Sequence, residues 1–70
     1  MRTMQITIEL IRTAERLPTR EDGDAQGCVL TLHDHNGFDA EHYSNVERYG
    51  RHIIAWARLP DVGEVKRCLR

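Results

Sequence analysis

Apolar residues in this chain come in short runs, and each run is closed by a proline or a turn. Met4, Ile6, Ile8 and Leu10 alternate with Gln5, Thr7 and Glu9, and the pattern stops at Pro18. Cys28 to Leu32 is followed by Asn36-Gly37, and Arg51 to Ala57 is followed by Pro60. Runs this short, with β-branched residues and period-two alternation, favour strands over helices. The Asn-Gly pair predicts a two-residue hairpin turn with positive φ at both central positions. Residues 38–43 then return as its second arm, with Phe38, Ala40 and His42 on one face and Asp39, Glu41 and Tyr43 on the other. The first run is double-valued. Met4, Ile8, Ile11, Ala14 and Leu17 also form one helical stripe, but Ile6, Thr7, Ile8 and Ile11 weight residues 4–17 towards strand.

The other segments follow from local chemistry. Residues 18–27 carry Pro, Gly and acids and read as an exposed loop. Ser44 to Gly50 is a polar connection with room for one helical turn. Ile54 and Trp56 share a face of the third apolar run, and Trp56, the only tryptophan, is expected in the core. Asp61 is placed to cap a short helix in which Val62, Val65 and Leu69 share a face. The expected architecture is mainly β: one small domain over residues 1–70, an antiparallel meander of three or four strands. Residues 61–70 form a short helix or a flexible tail, and an α+β arrangement is the alternative.

Seventy residues exclude a multi-domain enzyme and leave little room for a deep cleft. Cys28 and Cys68 do not make a disulfide framework, and no stretch approaches the apolar length of a membrane span. The apolar alternation is too broken for a signal peptide, so a cytoplasmic location is expected. The net charge of -1 argues against general adhesion to nucleic acid. Charge is nonetheless polarised: residues 15–47 carry -6 and residues 48–70 carry +4. Such polarity could steer a charged partner, but pairing between the two halves inside one small fold is the expected explanation.

Arg-Leu-Pro occurs twice, at Arg16-Leu17-Pro18 and Arg58-Leu59-Pro60, each time at the exit of an apolar run. Together with Gly27-Cys28-Val29-Leu30 and Trp56-Ala57-Arg58-Leu59-Pro60, these motifs resemble a small phage and prophage family, number 551 in the usual series of domains of unknown function. The resemblance spans about residues 11–60. Ile11 stands where the family usually has Trp, and Ala57-Arg58 where it has Met-Pro. The resemblance implies an accessory protein of a mobile element and supplies no assigned activity or catalytic residue to carry over.

Three functional constellations can be drawn from the residues. His33 and His35 lie at i and i+2, a spacing that on a strand could share a metal ion, though no zinc-module spacing accompanies them. Arg48, Arg51 and Arg58 lie near Tyr49 and Trp56, with Lys66, Arg67 and Arg70 behind them, a pattern suited to holding a nucleic acid strand. The third is an edge strand at Met4–Leu10 with only Glu9 to deter pairing. It could add to the sheet of a protein partner or pair with its own copy in a homodimer. Protein–protein interaction without catalysis is the expected role, with no cofactor, and the basic segment and the histidines are the alternatives.

Overall fold

The computed structural model describes residues 2–70. Strand β1 is Ile11–Arg12, and a 3-10 turn follows at Arg20–Asp22. Strands β2 (Cys28–His33) and β3 (Gly37–His42) form a hairpin, and helix α1 (Tyr43–Arg48) leads to β4 (Ile53–Ala57) and helix α2 (Val62–Leu69). The expected antiparallel sheet of four strands with a C-terminal helix is present. The order is not the expected meander but β1-β4-β2-β3: β2–β3 is the one sequential pairing among the described strands, because β4 pairs with both β1 and β2 and inserts between them.

Pairing parity divides the sheet into two faces. Thr31 stands opposite Trp56 and Asp39, and Trp56 stands opposite Ile11. That face carries Val29, Thr31 and Trp56, all fully buried, and α1 closes it with Val46. Ile53 joins the same core, whereas Ile54 is exposed. The expected sharing of a face by Ile54 and Trp56 therefore fails. The register slips between Leu32 and His33, so that Leu32 pairs with Ala55 but His33 with Ile53. Ile54 is the extra, bulged residue, and the bulge returns Ile53 to the tryptophan side.

The hairpin also differs from the expected two-residue turn. His33 pairs with Gly37, leaving Asp34, His35 and Asn36 as a three-residue loop. Gly37 is left-handed at φ +78°, and Asn36 is not at positive φ. This is the geometry of a loop that ends on a left-handed glycine. The one-turn helix expected after Ser44 is α1, whose first turn is capped by His42: its Nδ1 accepts from the Ser44 backbone N–H. Asp61 caps α2 as expected, accepting from the Glu64 N–H at 3.2 Å.

The strand expected at Met4–Leu10 is not formed. Residues 2–10 have no regular secondary structure and make no backbone–backbone hydrogen bond. The cause lies in the partner strand. Continuing the antiparallel register of Ile11 with Trp56 would set Leu10 against Ala57 and the earlier residues against Arg58, Leu59 and Pro60. β4 ends at Ala57, and Pro60 has no N–H to give. The alternation therefore outruns the sheet.

Candidate functional site

The sequence-predicted site residues fall into separate groups. Trp56 is fully buried and its indole N–H donates to the Arg16 carbonyl at 2.7 Å. The Arg16 guanidinium lies over the ring, 4.7 Å from its centroid. Trp56 is therefore a core residue and not a surface on which a base could stack. Arg58 is engaged as well. Its Nε and one terminal nitrogen bond the Asp22 carboxylate at 3.2 and 3.0 Å. Arg16 binds the same carboxylate at 3.0 and 3.3 Å, and the Thr19 backbone N–H donates to it at 2.7 Å.

Asp22 is buried at the centre of this network. The Arg16 guanidinium foremost, then the Thr19 N–H and Arg58, hold its carboxyl well below the usual carboxylate range, against the opposing effect of burial. Trp56, Arg16, Asp22 and Arg58 thus tie the loop after β1 to the end of β4. Part of the charge polarity of the sequence is this internal pairing.

The remaining basic residues do not form one patch. Arg48 and Arg51 are exposed at the entry to β4, while Lys66 and Arg67 are exposed on α2 beyond its exit. Five strand residues, about 16 Å of extended chain, lie between. Of the two aromatics expected among them, Trp56 is in the core and Tyr49 is exposed.

His33 and His35 are likewise separated. β2 ends at His33, and His35 projects from the loop beside Asp34. His33 instead meets residues of the facing strand. Because Asp39 and Glu41 pair with Thr31 and Val29, they share the face of His33. One ligand atom each of His33, Asp39 and Glu41 lie within 4.8 Å of one another. Asp39 and Glu41 were not singled out together with His33 in the sequence. The three-residue loop joins them, and the sequence did not signal it: a two-residue turn at Asn36-Gly37 would set His33 opposite Ala40 and leave Asp39 and Glu41 on the other face.

Two apolar surfaces remain open. On the sheet face away from α1, Phe38 is 60 % exposed. Leu30 and Leu32 are half-buried on that face. The other lies on the N-terminal arm, residues 2–10. Met4, Ile6, Ile8 and Leu10 are each between 38 and 45 % exposed. Thr7 and Glu9 line a cavity with Ile11, Arg16 and Arg58. At its start the arm reaches α2, where the Arg2 guanidinium donates to the Arg70 carbonyl. No residue of α2 is buried, and Val62 and Leu69 are exposed.

No family model, curated protein or solved structure matches this chain. Among the described residues, no helix is long and apolar enough to cross a membrane.

Proposed function

We propose that this chain is a small protein-interaction module without catalytic activity, of the cytoplasmic accessory kind implied by its resemblance to the phage and prophage family, and that the N-terminal arm is its docking element. The observation that carries the reading is the arm itself. Four apolar side chains alternate along a segment whose backbone has no pairing partner among the described residues. An unpaired alternating segment beside a sheet edge is the raw material of strand addition, in which the backbone supplies affinity and alternate side chains supply specificity.

A second copy of the chain fits the arm by pattern. Two arms paired antiparallel about Thr7 set Ile6 against Ile8 and Met4 against Leu10, with Gln5 opposite Glu9. All four apolar residues of each arm then lie on one face, and no like charges oppose each other between residues 4 and 10. The contact is self-complementary, as a two-fold interface requires.

Size-exclusion chromatography with light scattering tests this. The wild-type chain is expected to dimerise at micromolar concentration. Ile6→Glu with Ile8→Glu is expected to be monomeric with an unchanged circular dichroism spectrum, because the arm contributes nothing to the sheet ladder. A wild-type monomer at high micromolar concentration, or a dimer indifferent to the double substitution, would overturn the proposal.

A further inference from the structure

We infer that the β2–β3 hairpin holds a divalent transition-metal site formed by His33, Asp39 and Glu41. Their ligand atoms lie within 4.8 Å of one another, and all three side chains project from one face of a single two-stranded ladder. Ligands about 2.0–2.2 Å from an ion sit roughly 3–3.5 Å apart. Closure therefore requires side-chain rotation of an ångström or two and no movement of the strands. Glu41 is half-buried and Asp39 exposed, which leaves them free to make that adjustment.

Two further observations are compatible with a bound cation, although other acids among the described residues also have no Arg or Lys partner. Among the described residues, neither Asp39 nor Glu41 has a cationic side chain as ion-pair partner, although Arg and Lys make up 10 of the 70 residues. Two carboxylates two residues apart on one strand face repel each other, and a dication removes that repulsion. Each of the three side chains also has a hydrogen-bond partner outside the trio. Thr31 Oγ1 lies 2.9 Å from His33 Nε2 and donates to the Asp39 carbonyl at 3.2 Å. The Ala40 N–H donates to Asp39 Oδ1 at 2.8 Å, and the Asn45 amide to Glu41 Oε2 at 3.3 Å. Outer partners of this kind orient the ligands of metal sites.

Inward acids also protect an exposed edge such as β3 from unwanted pairing. Edge protection needs no imidazole in the cluster, and His33 supplies one. Beside the cluster, His33 and Glu41 line an open cavity of about 440 Å³ together with Asn45 and His52. Water or a further ligand can therefore complete the coordination sphere. One imidazole with two carboxylates is a mixed nitrogen–oxygen set. It suits Zn²⁺ or Mn²⁺ better than Mg²⁺ or Ca²⁺, which prefer oxygen alone.

The test is titration of the full chain with Zn²⁺ by calorimetry, with resonance mapping of the backbone amides. A Cys28→Ser, Cys68→Ser background removes thiol ligands that would bind the same ion. One ion per chain is expected, with shifts centred on residues 31–41. Asp39→Asn and Glu41→Gln keep the shape and an oxygen acceptor for the Ala40 N–H and the Asn45 amide, and each should weaken binding at least tenfold. Asn45→Ala should weaken it by about tenfold through loss of its hold on Glu41. His35→Ala should bind as the parent does. Absence of binding, indifference to Asp39→Asn and Glu41→Gln, or an equal loss in His35→Ala would each overturn the assignment.

Discussion

Replacing Trp56 by alanine should leave the chain largely unfolded. The indole is the largest fully buried side chain, and it packs with Val29, Val46 and Ile53 in the single core cluster. Truncating a buried Trp typically costs about 3–5 kcal/mol. A 70-residue domain has about 3.5–10 kcal/mol in total. The substitution also leaves the Arg16 carbonyl without its donor and removes the ring beneath the Arg16 guanidinium. Trp56→Phe separates the two contributions. It keeps most of the apolar volume but loses the indole N–H, which should cost about 1–3 kcal/mol. At about 4–8 °C per kcal/mol, the midpoint should fall by at least 4 °C while the transition stays cooperative. Thermal and urea unfolding followed by far-ultraviolet circular dichroism reads both variants, since the only Trp fluorophore is lost. A cooperative Trp56→Ala transition within about 1 kcal/mol of wild type would refute the placement of the core.

Three further outcomes follow from the geometry. Asp22→Asn keeps the shape of the side chain but removes the charge shared by Arg16 and Arg58. Both arginines are substantially exposed, so the loss should be about 1–2 kcal/mol near neutral pH by chemical denaturation. Because the folded carboxyl lies below its ordinary value of 3.8, its contribution is fully present above that pH. It is lost as pH falls from there through the folded value, so Asp22→Asn should flatten the wild-type acid decline below about pH 4. An acid profile unchanged by the substitution would contradict the network. Gly37→Ala should cost about 1–2 kcal/mol, because the position is left-handed although nothing obstructs an added methyl group. A neutral effect on the melting temperature would show that the loop has another conformation.

Much of the sheet was legible because its signals are local. The β2–β3 hairpin follows from an apolar run and Asn-Gly, β4 from the run that Pro60 closes, and α2 from the Asp61 cap. What escaped depends on partners distant in sequence. The first run has a strand's alternation, but only Ile11–Arg12 find a partner, because β4 ends before the rest can pair. The bulge at Ile54 cannot be read from its own strand, since the slip is defined by the register against β2. Asp22 carries no local mark of burial; it becomes a hub only when β4 brings Arg58 to it. For the candidate site the pattern is the same. His33 was visible, but its pairing with His35 assumed that the strand continues, whereas the turn begins one residue later.

The central claim is that the arm stays unpaired until another chain binds it, and amide hydrogen exchange of residues 5–9 across a dilution series tests it most directly. The account predicts rapid, unprotected exchange at low concentration, with protection of these amides rising as the chain is concentrated while β2 and β4 remain protected throughout. Protection of the arm independent of concentration would contradict it, because the segment would then already be paired within its own chain. Complete absence of protection at high concentration would contradict it equally, by showing that the arm docks onto no second copy.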